Sequence, residues 1–200
     1  MSKRLLAVAA LLLAASTSCM STHTSMMVNP GPGGAGPINA ALLAKADLRS
    51  CPPSSATPVA GGLPNLTLRC LGHGPAVHLA GITGKPMLVL TWGSWCTECG
   101  AEMRFLSSVY DQDRAEVRFL GVDTEDESNS ALDFDAHVTP PVRFPSVVDY
   151  GHKVELGLRT EATPYTVFVS ATGRIVHAHA GPYLSTGQLK SDLATYLHVT

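Results

Sequence analysis

The chain of 200 residues is 45% apolar, 15% charged and formally -2 in net charge. That suits one domain with a buried core plus extensions, and it is too short for two full domains. The composition excludes an acidic or basic disordered polymer, and the lack of a basic excess argues against a nucleic-acid partner.

Lys3 and Arg4 precede an unbroken apolar run from Leu5 to Ala15, followed by the small residues Ser16-Thr17-Ser18 and then Cys19. A spanning helix needs about 20 apolar residues, so residues 1–18 are expected to be a secretory signal peptide. Cys19 occupies the place of the lipidated cysteine in a bacterial lipoprotein signal, and the segment resembles a lipobox, with Ser16 where that motif carries an aliphatic residue. The membrane is then met only through a possible lipid anchor. Residues 19–62 are expected to be a flexible Gly/Pro-rich tether and loop. They include a short helix over 38–48 and a Met cluster (Met20, Met26, Met27, with His23) that belongs to an unstructured spacer more readily than to a copper site.

The compact domain is expected over residues 63–200. Asn65–Arg69 and Ala76–Leu79 form an N-terminal β-hairpin extension around a Gly/Pro turn. The apolar run from Pro86 to Trp92 is a strand buried on both faces. Gly93-Ser94-Trp95 breaks it, and a helix follows from Cys96 to Tyr110 with Met103, Leu106 and Tyr110 inward. Val117–Val122 is a second buried strand, completing a β-α-β unit. A helix over Glu127–Val138, a short strand at Val147-Val148 and a helical turn over Lys153–Leu158 come next. Tyr165–Ser170 and Ile175–Ala180 form an antiparallel hairpin, and Ser185–Leu197 closes the chain as a helix. The expected fold class is α/β: a mixed central sheet flanked by helices, the thioredoxin-like architecture.

Five cysteines leave two pairs once Cys19 is set aside as the anchor, and an exported compartment permits disulfides. Cys96-Thr97-Glu98-Cys99 is a C-x-x-C unit suited to reversible oxidation. Cys51 and Cys70 then form a structural bridge, worth about 3 kcal/mol by loop closure. The competing arrangement is a four-cysteine zinc site, whose spacing supplies only one knuckle-like pair. His177 and His179 alternate onto one face of a strand, where a copper or zinc pair is conceivable but half-buried histidines are commoner.

The run from Leu88 to Met103, LVLTWGSWCTECGAEM, resembles the active-site segment of TlpA/ResA-like (DsbE-like) thiol-disulfide oxidoreductases of the thioredoxin superfamily. The likeness continues through Gly121-Val122-Asp123, Phe144-Pro145, Thr163-Pro164 and Gly173-Arg174-Ile175. Cys96 lies at a helix N-terminus, where free N–H groups and the dipole favour the thiolate, and Cys99 lies one turn deeper. Cys96 is therefore the expected nucleophile and Cys99 the resolving thiol. The resemblance implies a cis Thr163-Pro164 bond opposite Cys96, with the Thr163 backbone pairing to substrate. It also implies that Glu102, three residues after Cys99, is a buried acid that handles protons. Leu90 stands where thioredoxins carry a buried acid, which puts more weight on Glu102. Trp92 and Trp95 are expected to wall the substrate site, with a place in the core the alternative for Trp92. Glu98, inside the motif, opposes thiolate formation and points to a reducing couple.

No cofactor or resident metal is implied. By resemblance the partners are cysteine-containing exported proteins, apocytochrome c among them, with a membrane thiol carrier as redox partner and a location on the outer face of the bacterial cell membrane or beyond it. The alternative is a Sco-like copper-delivery protein using Cys96, Cys99 and a histidine, although that branch spaces its cysteines C-x-x-x-C. A non-catalytic module would not need Cys96, Cys99 and Pro164 intact, and the P-x-x-x-T-x-x-C segment of thiol peroxidases is missing.

Overall fold

The structure is a computed structural model that describes residues 37–199. The expected signal peptide, the Cys19 anchor and the Met cluster lie outside the described residues. Helix α1 (Ala40–Ala46) starts where the Asn39 side chain accepts from the Ala41 and Leu42 N–H groups, and it ends at Asp47 in a left-handed conformation. Strands β1 (Thr67–Cys70) and β2 (Val77–His78) follow, then β3 (Met87–Trp92), α2 (Thr97–Asp113), β4 (Arg118–Thr124), α3 (Ser128–His137) and β5 (Ser146–Asp149). Helix α4 (Lys153–Leu158), the hairpin β6 (Tyr165–Val169) and β7 (Ile175–Ala180), and helix α5 (Thr186–Asp192), which continues as a wider turn over Leu193–Leu197, complete the chain.

One seven-stranded sheet runs in the order β2-β1-β5-β4-β3-β6-β7. Strands β3, β4 and β5 are parallel neighbours, and every other pairing is antiparallel. The expected N-terminal hairpin is continuous with this sheet, because β1 pairs with β5 through Arg69 to Val148 and Cys70 to Val147. All six residues of β3 are buried, as an apolar strand covered on both faces requires. Its side chains alternate: Leu88, Leu90 and Trp92 enter one core with α2, α3 and α5, while Met87 and Val89 enter the other with α4 and β1.

Part of the segment expected as a tether before residue 63 packs on the domain. Ala46, Leu48 and Cys51 are buried in the two cores, and the Pro-rich stretch after them is hydrogen bonded along its length. The Cys51 N–H donates to the His73 carbonyl, Ser55 to Gly81 and Val59 to Ala80, and Gly62 bridges to Arg174. Prolines here remove donors without removing acceptors, and the remaining N–H groups find carbonyls of the domain. Cys51 and Cys70 are disulfide bonded, with Cα atoms 6.0 Å apart, so the bridge ties this segment to the edge of β1.

Candidate active site

Strand β3 delivers the chain to the end of the sheet, Gly93 turns it, and Cys96 becomes the N-cap of α2. A Cβ at Gly93 would strike the Trp95 indole, so only glycine lets the loop fold back this tightly. Cys96 and Cys99 are disulfide bonded, with Cα atoms 5.3 Å apart. The Cys99 N–H donates to Cys96 Sγ at 3.1 Å, the position in which a capping sulfur satisfies a helix N–H and a thiolate is stabilised. Cys96 is 5% exposed and Cys99 0%, so only the first sulfur can be reached from outside.

Opposite Cys96 the Thr163-Pro164 bond is cis, as the resemblance implied, and the Thr163 carbonyl oxygen lies 3.8 Å from Cys96 Sγ. A second cis bond, Thr139-Pro140, was not anticipated. The Thr163 segment is anchored by a residue the sequence reading missed. Glu155, fully buried on α4, accepts from the Thr163 hydroxyl at 2.6 Å and the Thr124 hydroxyl at 2.8 Å, with His152 Nδ1 at 2.8 Å. Sequence offers no signal for it, because a lone Glu in a short helix is ordinarily solvated.

Glu102 is fully buried. One carboxyl oxygen accepts the Tyr183 N–H at 2.8 Å and the other has no hydrogen-bond partner. Burial pushes its pKa up to about 8, against the smaller lowering effect of the Tyr183 N–H. The carboxyl is thus poised to exchange a proton near neutrality.

The two tryptophans part company. Trp95 is 53% exposed, with its Nε1 donating to the Thr124 carbonyl at 3.0 Å, and forms a fixed apolar ledge beside Cys96. Trp92, expected to wall the substrate site, is instead fully buried in the core cluster that also holds Cys96 and Cys99. Its ring packs on Phe134 at 5.4 Å. As the last residue of β3 it follows the inward alternation of Leu88 and Leu90, so it supports the motif from behind and presents nothing to a substrate.

Behind the Ser94 loop, Asp123 of the Gly121-Val122-Asp123 likeness is joined by two acids the sequence reading missed, Asp126 and Asp135. Asp126 accepts from the Ser94 N–H at 2.6 Å and the Glu127 N–H at 2.8 Å. Asp123, at the end of β4, has its pKa raised to about 8 by burial and by Asp126, with Arg69 opposing. Asp135 on α3 is held well above the usual carboxylate range by burial, then by Asp123 and Asp126. Asp123 ends β4, Asp126 lies in the following loop and Asp135 is on α3, and the fold brings the three together.

His177 stacks on Tyr196 at 3.6 Å and His179 on Tyr183 at 4.3 Å, so both rings are engaged with aromatic neighbours. Among the described residues no three His, Cys, Asp or Glu side chains converge as a metal site would require. The four cysteines of the zinc arrangement are instead paired as two disulfides, Cys51–Cys70 and Cys96–Cys99.

A disulfide at the mouth of a helix, facing a cis-proline loop on a mixed sheet, defines a thioredoxin-like redox fold. The chain belongs to the Redoxin family, whose model matches residues 58–197. Among curated proteins it is 34% identical over 95 residues to the "Thiol:disulfide interchange protein DsbE homolog" of Paracoccus denitrificans, covering 48% of this chain and 50% of that protein. It is 24% identical over 135 residues to "Thiol-disulfide oxidoreductase ResA" of Bacillus cereus, covering 67% and 73%. The chain spans about half the length of the DsbE relatives it matches. Among solved structures, a secreted Mycobacterium tuberculosis disulfide oxidoreductase homologous to DsbE shares the fold with a TM-score of 0.57 at 24% identity, over 66% of this chain and 96% of that one.

Proposed function

We propose that this chain is an exported thiol-disulfide oxidoreductase that exchanges the Cys96–Cys99 disulfide with the thiols of other proteins. The observation that carries the reading is Cys96 Sγ capping α2, accepting the Cys99 N–H and facing the Thr163 carbonyl. In the reduced protein the helix N-terminus stabilises the Cys96 thiolate. That thiolate attacks one sulfur of a partner's disulfide, forming a mixed disulfide and expelling the other sulfur as thiolate. The Cys99 thiol then passes its proton to the Glu102 carboxylate and attacks Cys96 Sγ. The partner leaves as its second thiolate, and the pair ends as the disulfide of the present structure with Glu102 neutral. The reverse sequence oxidises a partner's dithiol.

Catalytic roles go to Cys96, Cys99 and Glu102, and substrate contacts to Trp95, the Thr163 backbone and Pro164. Export rests on the apolar leader after Lys3 and Arg4, and membrane anchoring on Cys19. Cysteine-containing exported proteins such as apocytochrome c are the substrate class, and a membrane thiol carrier is the electron donor. Insulin reduction by the wild-type chain and by Cys96→Ser and Cys99→Ser variants tests the reading. Turnover is expected only in the wild type, with a partner-linked disulfide accumulating in Cys99→Ser. Equal activity in all three overturns it.

A further inference from the structure

At the end of the sheet opposite the cysteines lies an open cavity of about 280 Å³. Its walls come from four separate stretches: Arg49 and Pro52 on either side of Cys51, Tyr110 and Arg114 at the C-terminal end of α2, Arg118 and Phe119 at the start of β4, and Pro145 just before β5. Arg118 pairs in register with Met87, the first residue of β3, whereas Cys96 follows its last. The length of that strand, about 20 Å, therefore separates the cavity from the thiols.

Among the described residues no carboxylate lines this cavity, although the chain holds more acidic than basic residues, 16 against 14. Among the described residues neither Arg49 nor Arg114 makes an ion pair or a side-chain hydrogen bond, so both guanidinium forks are unspent. Arg118 uses one Nη1 on the Thr83 carbonyl at 2.9 Å and keeps its remaining donors. The Tyr110 ring is buried edge-on against Phe119 and Phe144, and its hydroxyl has no hydrogen-bond partner among the described residues. Burial raises the pKa of that hydroxyl, Arg49 and Arg114 lower it through space, and Asp111 raises it. Two free cations thus stand near one free phenol donor.

Donors converging from separate elements, with no acceptor among them, are what an anion needs. A carboxylate offers two oxygens in one plane. A phosphate offers three or more around a tetrahedron and accepts from several forks at once. The apolar faces of Pro52 and Phe119 leave room for an organic substituent. We propose that this cavity is a binding site for an organic phosphate, held by the guanidinium groups of Arg49, Arg114 and Arg118 and by the Tyr110 hydroxyl. The phosphate belongs either to a soluble phosphomonoester or to a phospholipid headgroup, in which case the thiols point away from the bilayer.

The test uses the full chain, titrated calorimetrically with glycerol 3-phosphate and, in parallel, co-floated with vesicles of phosphatidylcholine alone or mixed with phosphatidylglycerol. The N-terminal apolar run is common to wild type and variants, so the readout is the difference between them. A saturable response to glycerol 3-phosphate supports the proposal with a soluble source. A response confined to phosphatidylglycerol vesicles supports it with a lipid source. In either case binding weakens about tenfold for each of Arg49→Ala and Arg114→Ala, as lost charge-assisted hydrogen bonds require. Tyr110→Phe weakens it less. Both arginines are exposed, and the thermal midpoint of the double variant is expected to match wild type. No response to either probe, or binding that survives the double substitution, overturns the proposal.

Discussion

Glu102 carries the strongest chemical demand on a single side chain. Its carboxyl titrates at about 8 in the folded protein, against an ordinary value of 4.5. Between those values the folded state keeps a proton that the unfolded chain has released, so this residue lowers stability as pH rises. Glu102→Gln removes the titration. The variant is expected to gain thermal stability relative to wild type on going from pH 5 to pH 8, with little difference at the acid end. Its resolving step is expected to slow by about 100-fold, the usual scale of a lost general base, measured by stopped-flow release of a model mixed disulfide. An unchanged resolving rate would remove Glu102 from the mechanism. Glu98 is exposed, where solvent screens its charge, so Glu98→Gln is expected to shift the glutathione equilibrium only slightly toward a more oxidising couple.

At the scale of elements, the strands and helices were legible wherever an apolar run or a helical spacing was long. Strand β3, α2 with its inward Met103, Leu106 and Tyr110, and α4 at Lys153–Leu158 stand where the pattern put them. The pattern failed where order comes from hydrogen bonds to distant carbonyls. The segment before residue 63 is poor in periodicity, yet Ser55 and Val59 donate to Gly81 and Ala80. Trp92 was open between a substrate wall and a core position, because an aromatic beside the motif suits either, and strand alternation decides for the core. Two substitutions test this level. Removing the Cys51–Cys70 bridge with a double Cys→Ala variant is expected to cost about 3 kcal/mol in urea unfolding with the Cys96–Cys99 disulfide intact. Gly121→Ala would drive a Cβ into Ser146 Oγ and Trp92 Nε1, costing about 1–3 kcal/mol by overpacking. Wild-type stability in either variant would contradict the packing described.

On the scale of the whole molecule, the oxidised protein buries three acids whose pKa values are raised: Glu102, Asp123 and Asp135. Each binds its proton more tightly when folded than when unfolded, so all three act in the same direction. The thermal midpoint is expected to fall as pH rises from about 5 to 8, and Asp135→Asn is expected to flatten that slope. A midpoint that climbs over the same range would mean these carboxyls are not held neutral. The cysteine motif, the Thr-Pro loop and Glu102 were visible in sequence because each keeps its neighbours along the chain. The supports behind them were not: Asp126 under Ser94 and Glu155 under Thr163 meet their partners only after the sheet has assembled.

The most direct test equilibrates the folded protein in glutathione redox buffers and alkylates it rapidly, with mass spectrometry reading each cysteine. The expected result is a reversible two-electron equilibrium of Cys96 and Cys99, with Cys96 modified first in the reduced protein and Cys51–Cys70 still bridged. A Cys96–Cys99 pair that stays oxidised across the glutathione range, or that once reduced takes up label at Cys99 before Cys96, would contradict the account.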